Sequence, residues 1–276
     1  MTNIYSPSFL KQLLKEYKIF PSKKLGQSFL ICPEIAQKVV NSALLQKGDL
    51  VLEVGPGFGA LTRVLLERGC RVIAVEKDRR LFQFLEDYFS KNSHFHLVCD
   101  DVLNFLENFQ EKNYKIVASL PYPITSYFLR QIMEKENKPS LAVFIVQWEV
   151  GQKICARPPQ MNLISVICQI FAKPQLLGRV TASCFYPKPK VASAILKFSD
   201  FQNPFKTRQE EKNFLEFLKI GFSQKRKLLK SNLAKGLDIG EEKIEKAFKV
   251  LKITPKVRAE ALTTQQWLDL YYLLLT

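Results

Sequence analysis

Leu50-Val51-Leu52-Glu53-Val54-Gly55-Pro56-Gly57-Phe58-Gly59 decides how the chain folds: an apolar run carrying a carboxylate breaks into glycines at alternate positions. A Val/Leu run this short, stopped by Gly and Pro, reads as a buried parallel strand entering a tight turn. Glycine has no Cβ, so it permits positive φ and lets the backbone come close to a ligand. Ala60 to Glu67 then reads as a helix, and the expected site is a crevice at the strand's carboxyl end.

Outward from that stretch the pattern alternates. Strand-type runs at 71–75, 95–99, 114–118 and 141–146 are separated by helical runs at 79–89, 102–109 and 124–134. Alternation of this kind predicts an α/β fold, a Rossmann-like parallel sheet with helices on both faces. A short helix over 9–17 and another opening at Pro33 precede the glycine strand. After Ile145 the pattern changes to a helix over 162–171 and two strands, 176–180 and 191–198, able to pair antiparallel on the sheet. The stretch 200–207, with Asn203 and Pro204, reads as a linker. Helical runs follow at 210–222, 227–234, 241–251 and 264–274. The expected organisation is a nucleotide-type domain over 1–200 and a small all-helical domain over 201–276.

Two cofactors fit the glycine turn, and its spacing does not choose between them. Gly55, Gly57 and Ala60 satisfy a relaxed dinucleotide fingerprint, while Gly55, Gly57 and Gly59 match the turn of S-adenosylmethionine (SAM) methyltransferases. Glu76 closes the next apolar run, where a carboxylate accepts hydrogen bonds from ribose hydroxyls in either case. Asp101 follows the third run, placed to bind the exocyclic amine of a cofactor adenine and equally to cap the next helix.

Across 276 residues, 41 Lys and Arg stand against 26 acidic residues, a net charge of +15. That excess favours a polyanionic partner, nucleic acid ahead of an anionic membrane surface. Six cysteines sit singly, without paired spacing, and read as small buried hydrophobes of a reducing compartment. No apolar run approaches the ~20 residues of a membrane span, and no signal-peptide core is present, so a cytoplasmic protein is expected. His94 and His96 share a strand face with no carboxylate or cysteine at ligand spacing, and no metal is expected.

Ser119-Leu120-Pro121-Tyr122 ends the fourth run, in the same crevice as the glycine turn. A polar residue, Leu-Pro and an aromatic suit methylation of an exocyclic amine. The first side chain and nearby carbonyls accept hydrogen bonds from the amine, while the ring stacks on the base, worth ~1–3 kcal/mol. Phe185-Tyr186-Pro187-Lys188-Pro189-Lys190 offers Phe185 as a second stacking face and Lys188 and Lys190 as phosphate contacts, as base extrusion requires. Lys225, Arg226, Lys227 and Lys230 form a basic cluster at the head of a C-terminal helix, where cations oppose the helix dipole and therefore suggest phosphate binding. Lys23 and Lys24, in a stretch without period, suit a lid whose lysines face phosphates.

Over nearly its whole length the chain resembles the small-subunit ribosomal RNA adenine dimethyltransferases of the KsgA/RsmA type. The stretches that carry the resemblance are 24–30, Glu53 to Gly59 with Leu61-Thr62, Glu76-Lys77-Asp78, Asp101, Leu120-Pro121-Tyr122, Gln147 with Glu149-Val150, 185–191, 222–227 with Asn232, and Arg258-Ala259-Glu260. The resemblance implies a SAM-dependent enzyme, yielding S-adenosylhomocysteine without a metal, that N6,N6-dimethylates two adjacent adenosines in the 3′-terminal hairpin loop of small-subunit rRNA. It implies action as a monomer on the immature small ribosomal subunit, away from membranes. Gln27 and Leu30 would flank the cofactor, Gly55 form its turn, Glu76 hold its ribose and Asp101 its adenine. Ser119, also beside the cofactor, and Leu120 would lie by the target amine, and Tyr122 and Phe185 hold the base.

The chain departs from the family pattern on the substrate side. Ser119 stands for a usual Asn, Ser28 for an Asn, Trp148 for a basic or polar residue and Ala192 for an Asp, and 156–163 is shortened. Those departures keep two other readings open, a catalytically impaired RNA-binding assembly factor and a large-subunit rRNA adenine methyltransferase.

Overall fold

The structure, a computed structural model, describes residues 4–21 and 26–275. Its residues divide into two compact units, Met1–Gly151 with Pro174–Phe201 and Gln152–Lys173 with Gln202–Thr276. The segment 152–173, which sequence pattern alone leaves in the first domain, is grouped with the C-terminal helices.

In the first unit the chain runs α1 (Pro7–Glu16), β1 (Phe29–Leu30), α2 (Pro33–Ser42), β2 (Leu50–Val54), α3 (Ala60–Glu67), β3 (Arg71–Glu76), α4 (Arg79–Phe89), β4 (Phe95–Cys99), α5 (Val102–Asn108), β5 (Tyr114–Ser119), α6 (Thr125–Glu134) and β6 (Leu141–Gln147). It continues with the start of α7 (Trp148–Ile154) and, after α8 (Leu163–Phe171), with β7 (Lys173–Val180), β8 (Phe185–Tyr186) and β9 (Ser193–Ser199). Seven strands form one sheet in the order β4-β3-β2-β5-β6-β9-β7. From β4 to β6 neighbouring strands are parallel, and β9 lies antiparallel to β6. The alternation read from the sequence is therefore the sheet that forms.

Strand order reverses between β2 and β5: the chain leaves β2 toward β3 and β4, then returns to the other side of β2 for β5. Helices leaving the two strands diverge there, opening a crevice at their carboxyl ends. The glycine turn follows β2 and Ser119 to Tyr122 follows β5, so topology alone brings the two motifs to one edge.

Local chemistry sets the starts of the surrounding helices. Asp78 caps α4 by accepting from the Arg80 amide, and Asp101 caps α5 by accepting from the Leu103 amide. Pro33 opens α2 at a position where no amide hydrogen is needed. β1 and β8 pair antiparallel, Phe29 with Tyr186 and Leu30 with Phe185. Two residues show no period, so this pairing and the short helix α7 were not visible in the pattern. Burial of the cysteines is also less complete than composition suggests: Cys70, Cys168 and Cys184 are buried, Cys32 and Cys155 half-buried, and Cys99, at the end of an edge strand, is exposed.

In the second unit α8 packs with α9 (Arg208–Gly221) and α12 (Thr264–Leu275), and α10 (Leu229–Leu237) and α11 (Glu241–Val250) complete a helical cluster. Phe214, Phe217, Phe248 and Trp267 fill its centre. Asn162 and Ser165 exchange reciprocal side-chain and backbone bonds at the start of α8, a capping box. Among the described residues no helix is long and apolar enough to cross a membrane.

Gly59 illustrates how tightly the turn is specified. Its φ is +78°, and a Cβ built there would sit 2.5 Å from Cε2 of Phe89 on α4. Gly59→Ala should lower stability by roughly 2–4 kcal/mol, left-handed strain and overpacking together. Gly48→Ala, at φ +88° with no atom within 4 Å of such a Cβ, should cost only the strain. Urea unfolding of both variants checks this, and equal losses would contradict it.

Candidate active site

Two buried carboxylates bracket the glycine turn. Glu53, on β2, is 1% exposed and accepts at Oε2 from the Thr62 hydroxyl in α3 at 2.7 Å. Burial pushes its pKa up to about 8, against the Thr62 hydrogen bonds and with a further contribution from the charge of Glu76. Glu76, at the carboxyl end of β3, accepts at Oε2 from the Gly57 amide at 3.2 Å and at Oε1 from the Asp78 amide at 2.9 Å. Burial raises it to about 7, the amides partly offsetting. The Gly55 amide is bonded to the Val75 carbonyl at 2.9 Å, so the turn is tied sideways to β3 as well.

Asp101 stands at the end of the next strand. Its Oδ1 accepts from the Leu103 amide at 3.0 Å and its Oδ2 from Lys77 Nζ at 2.6 Å. Burial alone would raise its pKa, but Lys77 and the capped amide outweigh it and hold the carboxyl below its ordinary value. It is therefore an ionised acceptor, with Lys77 as a competing donor.

Gln27 joins this group through Asp78, donating from Nε2 to Oδ2 at 3.2 Å. Gly26, at φ +65°, makes the approach possible: a Cβ there would meet Pro123 Cδ at 2.9 Å and the Tyr122 amide nitrogen at 3.2 Å. Leu30 is buried opposite Phe185.

Ser119 is half-buried, paired in register with Ile145 of β6. The Leu120 amide donates to the Ile145 carbonyl at 3.0 Å, and the Leu120 side chain is buried. Pro121 leads into a single 3-10 turn over Tyr122–Ile124. The two motifs face each other closely: a Cβ on Gly55 would lie 3.9 Å from Pro121 Cδ. The Tyr122 hydroxyl and Ser193 Oγ are 2.9 Å apart, and Ser193 is fully buried at the start of β9. Ser193 went unnoticed in the sequence because only the fold places it beside Tyr122.

Phe185 is 4% exposed and packs within a core cluster that includes Leu30, Val180 and Cys184. Its ring is thus covered in this conformation, and a stacking face there requires that cover to open.

The basic residues fall into distinct settings. Lys188 and Lys190 are exposed on the loop between β8 and β9. Lys225, Arg226 and Lys227 are exposed on the turn before α10, which begins at Leu229 rather than at Lys227. The cluster therefore precedes the helix. Asn232 shapes that turn, donating from Nδ2 to the carbonyls of Gly221 at 2.8 Å and Gln224 at 3.2 Å. Lys230 is drawn instead onto Glu245 at 2.6 Å and Glu241 at 3.1 Å. Lys23 and Lys24 lie outside the described residues.

A family model described as "Ribosomal RNA adenine dimethylase" matches residues 21–275. Similar proteins include the ribosomal RNA small subunit methyltransferase A of Dehalococcoides mccartyi (strain CBDB1), 38% identical over 260 residues, spanning 93% of this chain and 89% of that protein. The protein of the same name from Ureaplasma parvum serovar 3 is 36% identical over 275 residues, spanning 96% and 97%. Among solved structures, the 23S rRNA methyltransferase ErmE aligns with a TM-score of 0.72 at 23% identity, over 89% of this chain and 99% of that one. A dimethyladenosine transferase from Plasmodium falciparum aligns with a TM-score of 0.72 at 22% identity, over 88% and 96%. At such identities the structural likeness speaks for the fold alone.

The two buried carboxyls have a consequence for pH. Both titrate above the ordinary 4.5, near 8 for Glu53 and near 7 for Glu76, so between pH 4.5 and 8 the folded state holds protons that the unfolded state has released. Stability then falls as pH rises through that window. Thermal unfolding should give a lower Tm at pH 8 than at pH 6, and Glu53→Gln should flatten the difference. A Tm that climbs across the same interval would contradict the assignment.

Proposed function

The chain belongs to the ribosomal RNA adenine dimethylase family, and on that premise we propose that it uses SAM to dimethylate N6 of two adjacent adenosines in the 3′-terminal hairpin loop of small-subunit rRNA during subunit assembly. The observation that carries this reading is the close approach of Ser119–Tyr122 to the glycine turn at the point where strand order reverses. A reacting amine held by one motif would lie beside a cofactor held by the other, and such positioning supplies much of the rate in a two-substrate reaction.

The donor set fits SAM. Glu76 offers a carboxylate for ribose hydroxyls, Asp101 an ionised acceptor for the adenine amine, Gly55 a turn without a Cβ, and Gln27 and Leu30 the flanks. When bound, SAM supplies a methyl group on a sulfonium whose departure as a neutral thioether needs no acid.

The chain's own residues handle the base. The Ser119 hydroxyl and the Leu120 carbonyl accept hydrogen bonds from N6, which draws the amine lone pair out of conjugation with the ring. Tyr122 stacks on the base, its hydroxyl fixed by Ser193. The amine can lose its proton to solvent after attack, so no strong general base is required. Phe185 would complete the sandwich once its cover opens. Lys188, Lys190, Lys225, Arg226 and Lys227 supply phosphate contacts, with Lys23 and Lys24 assigned to the same task from the sequence. Lys230 serves α10 and α11 through its two carboxylates.

Ser119, standing where the family usually has Asn, supports a second reading, an assembly factor that has lost catalysis. Transfer of labelled methyl from SAM to undermodified small subunits separates the two. Wild type should form dimethyladenosine, and Ser119→Ala should slow it roughly ten- to a hundredfold, the loss of one acceptor that leaves an amine hydrogen unpaired. Transfer only by Ser119→Asn would establish the second reading. The basic turn is tested apart from chemistry. Replacing Lys225, Arg226 and Lys227 by Ala should weaken RNA binding and lower its salt slope by up to about one per lost contact. An unchanged slope would move the RNA face elsewhere.

A further inference from the structure

Trp148 is the departure from the family pattern that the reaction leaves without a role. It is the first residue of α7, directly after β6, and its amide donates to the Ala192 carbonyl at 3.0 Å. Trp148 and Ala192 are therefore neighbours in space. What stands there now is an aromatic surface.

Its position is defined by the same strand ends that hold the target. Gln147 pairs with Ser193 across β6 and β9, and Ser193 holds the Tyr122 hydroxyl. Trp148 is one residue beyond that pair, at the start of α7, where the chain leaves β6, the strand beside β5. The indole leans toward Arg179 of β7, on the flank of the Tyr122–Ser193 pair away from the glycine turn, the side on which a nucleotide flanking a target base on Tyr122 would lie.

The indole is half-buried, and the guanidinium of Arg179 lies 5.5 Å from its ring centroid. Arg179 is itself exposed. A cation against an indole strengthens through the ring quadrupole and keeps its hydrogens free for a phosphate. The adjoining loop carries exposed Lys188 and Lys190 and the 41%-exposed Val191. Aromatic surface rimmed by cations is what unpaired RNA bases and their phosphates require.

We propose that Trp148 and Arg179 form a second base platform, on which the nucleotide adjacent to the target adenosine stacks while its phosphate meets Arg179. This rests on the RNA reading above and adds a subsite to it. Holding the neighbour in place would keep the loop registered while the target base turns into the crevice.

The chain has two tryptophans, and Trp267 is fully buried in the helical unit, so indole emission that responds to ligand reports on Trp148. The experiment titrates the full-length protein with a labelled RNA hairpin carrying adjacent adenosines in its loop, reading RNA anisotropy and tryptophan emission together. Emission should change in step with anisotropy. Trp148→Ala should lose that change and weaken hairpin binding roughly five- to a hundredfold, Trp148→Phe should keep most of the affinity, and SAM binding should be the same in all three proteins. Anisotropy that saturates with emission unchanged, or Trp148→Ala binding as tightly as wild type, overturns the platform and leaves the RNA reading intact. Absence of hairpin binding by wild type overturns the RNA reading, and the platform with it.

Discussion

The hydrogen bonds that two buried carboxylates make to either side of the glycine turn are the constraint on which the site depends. Glu53 is held by Thr62, which fastens the end of β2 to the first turn of α3. Glu76 takes the Gly57 amide from the other side. A charged carboxylate in such surroundings is costly, and both groups respond by titrating higher, near 8 and 7. The bonds to these carboxylates add to the Gly55–Val75 and Gly59–Pro56 backbone bonds in holding three residues at positive φ, Gly55, Gly57 and Gly59, in one conformation. Glu76 holds the turn with the same oxygens that a ribose would need. Each of its oxygens has a second lone pair, so hydroxyl donors would add to the amide hydrogen bonds without loosening the turn.

Around that turn the fold was legible because its signals are long and redundant. Five parallel strands, most of them apolar runs, and the helices between them repeat one pattern, so an error at any one element leaves the rest standing. The parts that escaped are short or distant. β1 and β8 are two residues each and meet across more than half the chain. The helix expected from Lys227 starts instead at Leu229, because the turn before it is set by Asn232 reaching back to the Gly221 and Gln224 carbonyls. No local pattern encodes a side chain that acts eight to eleven residues upstream.

The candidate site shows the same division. Glu76, Asp101 and Ser119 sit at strand ends, where position follows from the sheet, and the structure brings them to one edge as the sequence suggests. What the pattern could not supply is the set of contacts that orients them: Lys77 on Asp101, Asp78 on Gln27, Ser193 on Tyr122. Each joins residues far apart in sequence through side chains whose types are common. Phe185 is the instructive case, since an aromatic beside Pro and Lys reads equally well as a stacking face and as core, and here it is covered by Leu30 and its neighbours.

Charge in this chain is also less uniform in purpose than its sum implies. Lys77 and Lys230 are spent on carboxylates, one tuning an acceptor in the crevice and the other joining α10 to α11. Lys225, Arg226 and Lys227 stand on a turn whose backbone is fixed by Asn232, with no ion pair to them among the described residues. A cation held to a carboxylate must give up that partner before it can serve a phosphate, and the exchange gains little. Cations on a preorganised turn lose neither a partner nor much backbone freedom on binding. Under the proposed function, preorganisation rather than the number of positive residues would set the proposed RNA contacts apart from the lysines that join elements of the protein.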